Sequence, residues 1–332
     1  MSIIRNVDGA WEWKSKAIKL NPIYREAVIN YLNILDVLFR RAKETCEFEF
    51  ILTLLRFRGI EDPGWDTYEN TQRVFRCISK LSKRYSDCET KRHIYLWLYG
   101  HIIEASEPYE ILANLINVIA GKRYSAENFP HKVRGKYTIP QSPAEKIDAL
   151  NQMVGAARIE GFKLPIEEFY DRDLRNAIFH SDYSLINGEV RIRKPLKSYS
   201  NEEINEIINK GLAYYEAFQG ILSTYTAMYN EPIIISVHPE FSPDPNEKAI
   251  TIVRKAHGLA GIKDNWTREE ISAGYIPYRI GRFLKYEQGI LAKDPFTTIL
   301  PKNRAIVANK FLRIFPRFLR KIIVDKIKDK FT

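Results

Sequence analysis

Apolar residues recur at steps of three and four through most of the first 230 positions, and that period is the strongest constraint on the fold. Asn21-Pro22 reads as an N-cap followed by proline at the first helical position, opening a stripe of Val28, Leu32, Leu35 and Leu38. The same steps return at Ile94, Leu98 and Ile102 and at Leu112, Leu115 and Ile119. Ser142-Pro143-Ala144-Glu145 is a capping box ahead of Ile147, Leu150, Val154 and Ala157. After Gly161 and Pro165, a helix is expected to carry Ile166, Tyr170, Leu174 and Ile178. A second capping box, Ser200 to Glu203, opens a long stripe of Ile204, Ile208, Leu212, Tyr215, Phe218, Leu222 and Tyr225. Such faces bury themselves against one another, so the expected fold is mainly α, a helical bundle.

Two places depart from that period. Around Asn187-Gly188, the alternation of Tyr183, Leu185, Val190 and Ile192 predicts a short β-hairpin. From residue 231, Ile233–Val237 and Ile250–Val253 read as strands about a proline-rich turn, giving a small mixed α/β C-terminal region. The expected division is 1–88, an N-terminal helical region; 89–230, the bundle; and 231–332, the mixed region ending in basic amphipathic helices interrupted near Pro316.

The formal charge of +10 favours polyanionic partners, and it is concentrated in the tail. Between Pro301 and Thr332 only Asp325 and Asp329 oppose a run of bases. Arg313, Arg317, Arg320 and Lys321 are interleaved there with Phe311, Phe315 and Phe318. This layout suits RNA, an anionic membrane or another acidic partner, and equally a solvated outer helix face. Apolar runs such as Ile233-Ile234-Ile235 are too short to span a bilayer, so no transmembrane segment is expected. The start MSIIRNVDGAWEWKSK lacks the pattern of a secretory signal, and a cytoplasmic protein is expected.

Cys46, Cys77 and Cys88 form no CxxC pair, and no histidine lies at zinc-ligand spacing from them; Cys46 and Cys77 are expected as small buried hydrophobes. Gly258-Leu259-Ala260-Gly261 has no following Lys-Ser/Thr, and no HExxH occurs. Neither a cofactor nor a metal is therefore expected. His93 and His101 fall on one helix in different orientations, and His131 is expected in an exposed loop.

The segment Arg175-Asn176-Ala177-Ile178-Phe179-His180 carries the chemistry. Cleaving RNA without a metal needs proton transfer at the 2′-hydroxyl and at the leaving 5′-oxygen, and positive charge for the phosphorane. Histidine titrates near neutrality, and the arginine fork donates two bonds to a phosphate. Asn176 and His180, four apart, share a helix face, so the amide could orient the ring. Arg175 and His180, five apart, differ by about 140° on an ideal helix. They converge on one phosphate only if the helix loosens near His180 or if two protomers pair their motifs. The plain structural alternative is a surface ion pair of Arg175 with Asp171, and a His180 favoured by the helix dipole.

Arginine, a polar residue, and then histidine resembles the signature of the HEPN superfamily, and the stretch RNAIFHSDYSLINGEV is similar to members found in bacterial defence and stress systems. The resemblance covers roughly residues 90–229. It implies a HEPN-like bundle and a metal-independent endoribonuclease acting as a homodimer with a composite site. Arg175 would bind the phosphate, Asn176 would orient, and His180 would be the acid/base. It also implies a toxin or phage-defence setting, with RNA and an inhibitory protein as partners. The family includes members that only bind or regulate, so a non-catalytic module binding nucleotide, RNA or protein is the alternative.

Overall fold

A computed structural model describes residues 3–5, 9–13, 20–56, 67–236, 248–254 and 258–264. The chain is mainly helical, with small antiparallel sheets. Its described residues divide into two compact units, one drawn from those within 3–46, 67–123 and 127–225, the other from 47–56, 124–126, 226–236, 248–254 and 258–264.

The first unit is a helical bundle. Helix α1 (Pro22–Thr45) starts where Asn21 accepts a bond from the Ile23 N–H, and it buries Val28, Tyr31, Leu32, Leu35, Leu38 and Phe39. Helix α2 (Glu47–Leu55) belongs to the other unit. Helix α3 (Thr67–Ser82) packs on α4 (Cys88–Glu104), and Phe75 stacks on Tyr215 at a centroid distance of 3.9 Å. Helix α5 (Ser106–Ile119) lies against both α1 and α6 (Pro143–Ala156), whose Ser142–Glu145 capping box forms as the sequence predicts. Helix α7 (Arg172–His180) packs on α4, and α8 (Asn201–Ala227) begins at the Ser200–Glu203 capping box and carries the long core stripe.

Among the described residues of this unit, seven short strands form three small antiparallel sheets. Strands β1 (Ile3–Arg5) and β2 (Trp11–Trp13) pair, as do β3 (Lys132–Arg134) and β4 (Tyr137–Ile139). The hairpin predicted at Asn187-Gly188 is β5 (Tyr183–Ile186) and β6 (Glu189–Ile192), with both turn residues at positive φ. The alternation ends there, and β7 (Lys197–Tyr199) adds a third strand that it does not signal.

One expected helix is two elements. The four-residue steps of Ile166, Tyr170, Leu174 and Ile178 imitate a single helix. The chain instead makes a 3-10 turn over Pro165–Glu168, extends at Asp171, and begins α7 afresh. A cap explains the break: the Asp171 carboxylate takes the Leu174 N–H, which a continuous helix would have given to the Tyr170 carbonyl.

In the second unit, α2 packs against β8 (Ile234–Ser236) and β10 (Gly258–Asp264), and β9 (Lys248–Arg254) lies between those strands in an antiparallel sheet. Buried Glu49 accepts the Tyr124 N–H at 2.9 Å. Gly258, at φ +78°, passes so near the end of α8 that a Cβ would stand 2.2 Å from the Thr226 carbonyl oxygen. Gly258-Leu259-Ala260-Gly261 lies in strand β10. The helices expected over 303–331 lie outside the described residues. Among the described residues no helix is long and apolar enough to cross a membrane. Cys46 ends α1 half-buried, but Cys77 is exposed: its helix turns it to solvent, against the sequence expectation.

Candidate functional site around the α7 motif

Helix α7 is short and fixed at both ends. At its start, the buried Tyr99 hydroxyl takes the Asp171 N–H and donates to the Phe169 carbonyl, each at 3.0 Å, which anchors the entry of the motif helix on α4. The Asp171 side chain accepts from the Leu174 N–H, Tyr199 and Lys197, each at 2.9 Å. Burial pushes this carboxyl up, but those three donors outweigh it and hold the pKa below the ordinary carboxylate value. The alternative reading of Arg175, an ion pair with Asp171, does not form: Arg175 pairs elsewhere and Asp171 pairs with Lys197. The carboxylate is committed to the cap and to β7, and what it shares with Arg175 is the helical backbone bond.

At the other end, Ser181 adopts a left-handed conformation (φ 53°, ψ 35°), and the Asp182 N–H returns to the Ala177 carbonyl. This closure makes His180 the last helical residue. Leu174, Ala177 and Ile178 face the core, leaving Phe179 and His180 exposed. His180 makes no hydrogen bond within the chain among the described residues.

Arg175 is only 22% exposed and pairs with Glu104 at the end of α4. Its guanidinium also donates to Asn176 Oδ1 at 2.9 Å and lies 5.3 Å from the centroid of the Phe179 ring. Asn176 thus orients Arg175, not His180: the adjacent fork reaches the amide oxygen first. The helix remains α through His180, so Arg175 and His180 leave its axis about 140° apart. The helix does not loosen before His180, the route by which one chain could have brought the two together.

Other side chains gather here that sequence reasoning passed over. Glu104 is 71 residues from Arg175, and no local spacing announces it. His93 Nδ1 lies 2.8 Å from the Tyr183 hydroxyl, whose pKa is raised by burial, with the neighbouring Trp97 offsetting part of that rise. A signal existed in the steps of four, three and four that join His93, Trp97, Gly100 and Glu104 on one face of α4. His101 turns instead to the Thr71 carbonyl, and His131 is half-exposed beside Glu127. Among the described residues no three side chains of the metal-ligating types cluster. Arg313, Arg317, Arg320 and Lys321 lie outside the described residues.

No protein-family model, curated protein or solved structure matches the chain.

Proposed function

We propose that the chain is a metal-independent endoribonuclease of the HEPN type that acts as a homodimer, with Arg175 and His180 as its reacting pair. The observation that carries this reading is the placement of His180. It is an exposed imidazole at the closed end of a fixed helix, with no hydrogen-bond partner among the described residues, a little over one turn beyond a cation of fixed geometry. An unengaged imidazole is available to take the 2′-proton or protonate the leaving oxygen. Arg175, held by Glu104 and Asn176, is pre-oriented to stabilise charge on the phosphorane. Because the two side chains diverge, the composite site of a homodimer is the arrangement that unites them. A helix, a hairpin and a second long helix around the motif agree with the HEPN resemblance. A toxin or phage-defence effector inside the cell is the setting that resemblance implies.

Mixing two inactive variants tests the arrangement. Arg175→Ala and His180→Ala are each expected to lose cleavage, and their mixture to regain part of it through heterodimers. Loss in both with no recovery on mixing, while size exclusion shows exchange of protomers, would refute the composite site.

A second reading draws on the Arg175–Glu104 pair. A cation already balanced by a carboxylate binds phosphate less strongly, which favours a module that binds RNA, nucleotide or protein without cutting. Under that reading His180→Ala leaves the partner's affinity unchanged and there is no cleavage to lose.

A further inference from the structure

Helix α1 has a second face besides the one that enters the core. Arg25, Glu26, Ile29, Asn30 and Asn33 share it by their spacing, turned away from the buried stripe of Val28, Leu32 and Leu35. That face is not simply solvated. With Trp13 of β2 and Leu20 it lines a cavity of about 590 Å³ that opens to solvent, within the size range of small-molecule sites. The β1–β2 hairpin is pinned across the helix at two points. Trp13 Nε1–H donates to the Arg25 carbonyl at 3.2 Å, and the Trp11 N–H donates to Asn33 Oδ1 at 3.1 Å. The Trp13 wall is thus tied to the helix that forms the floor.

The polar groups of this cavity are uncommitted. Among the described residues the side chains of Arg25, Glu26 and Asn30 make no ion pair or hydrogen bond, and Arg25 and Glu26 do not pair with each other. One cavity therefore presents a free cation and a free anion side by side, against the apolar surface of Trp13, Leu20 and Ile29. A purely anionic ligand would meet Glu26, and a purely cationic one Arg25, each a like charge at close range. A ligand carrying both charges is matched by both residues. Helix α1 has no acidic residue in its first turn, so a carboxylate beside Arg25 also meets the positive end of the helix dipole.

We propose that this cavity binds a free α-amino acid with an apolar side chain, its carboxylate on Arg25, its ammonium on Glu26, and its side chain against Trp13, Leu20 and Ile29. The planar guanidinium suits the two carboxylate oxygens, and Asn30 offers an amide that can accept from an ammonium or donate to a carboxylate. A peptide carries its two charges at opposite ends, whereas Arg25 and Glu26 are adjacent, which selects the single amino acid. None of these residues belongs to the α7 motif, so the site holds whether or not that motif cuts RNA.

Ligand-observed NMR titration of the full chain tests this with L-leucine, L-phenylalanine, leucinamide, which lacks the carboxylate, and N-acetyl-leucine, which lacks the ammonium. At least one of the two free amino acids should bind with a Kd on the order of 0.1 mM. Leucinamide and N-acetyl-leucine should each bind roughly 10- to 100-fold more weakly than leucine. Arg25→Met should weaken leucine by a similar factor and leave leucinamide unchanged; Glu26→Gln should weaken leucine and leave N-acetyl-leucine unchanged. Both side chains are without partners in the fold, so circular dichroism should not move. Failure of both free amino acids to bind at about 10 mM would overturn the site. So would analogues that bind as well as leucine, a variant that binds leucine as the wild type does, or a variant that loses leucine and its indifferent analogue equally.

Discussion

Replacing Asp171 should loosen the motif helix selectively, because this one carboxylate holds both its N-terminus and the β7 strand. Losing an N-cap costs about 1 kcal/mol. Losing the Tyr199 bond to a charged acceptor costs roughly 1.5–3 kcal/mol, while Lys197, with its ammonium half in solvent, adds about 1 kcal/mol at most. These contacts share one group and are not strictly additive, so Asp171→Ala should cost about 3 kcal/mol. Asp171→Asn keeps an equally good cap and a weaker bond from Tyr199, and should cost about 1 kcal/mol. Amide hydrogen exchange of peptides covering 172–180 reads this locally, without requiring the two units to unfold together. Opening should become on the order of 100-fold faster for Asp171→Ala and several-fold faster for Asp171→Asn. Since folding lowers the pKa of Asp171, its stabilisation is complete above the unfolded carboxylate value near ~3.9 and is lost as pH falls through the lowered folded value. Protection in Asp171→Ala equal to that of the wild type, or an Asp171→Asn chain as labile as Asp171→Ala, would refute this account of how α7 is fixed.

Gly258→Ala should destabilise the second unit by at least about 2 kcal/mol, seen as a lower thermal midpoint, because the new Cβ meets the Thr226 carbonyl at a positive φ; an unchanged midpoint would contradict that packing. Lys146 is buried beside the Tyr109 and Phe129 rings with its ammonium on Ser106, and burial lowers its pKa against the opposing effect of Glu110 and Glu104. A lysine depressed in the fold gains stability as pH climbs from its folded pKa toward the unfolded value near ~10.4, so the wild type should gain on Lys146→Met across that alkaline window in urea melts. A constant difference between the two would argue against a strained buried charge.

The helices were legible because their signals are local. Asn21, Ser142 and Ser200 each bond a backbone N–H two or three residues on, and the stripes behind them record which face is buried. Asn187-Gly188 carries its turn in its own φ preferences. The break at Asp171 was hidden because steps of four satisfy a helical reading almost as well as a true 3.6 period, and a cap inside such a run looks like one more polar residue. Motif residues could be named from spacing and chemistry, but not what they touch. Glu104 reaches Arg175 through the packing of α4 on α7, and buried Gly100 of α4 receives the Phe179 ring, a contact between distant segments that no local spacing announces. Asn176 shows the same limit: a shared helix face permits a contact with His180, and in the fold the nearer Arg175 guanidinium takes the amide oxygen.

RNA cleavage by the purified full chain in excess EDTA, with His180→Ala and Arg175→Ala beside it and the product 3′ ends analysed, puts the greatest weight on the Arg175/His180 pair. Cyclic 2′,3′-phosphate ends from the wild type alone are the expected result, since the 2′-oxygen attacks when an imidazole takes its proton and no metal-bound water takes part. Undiminished cleavage by His180→Ala, or wild-type activity abolished by the chelator, would contradict it.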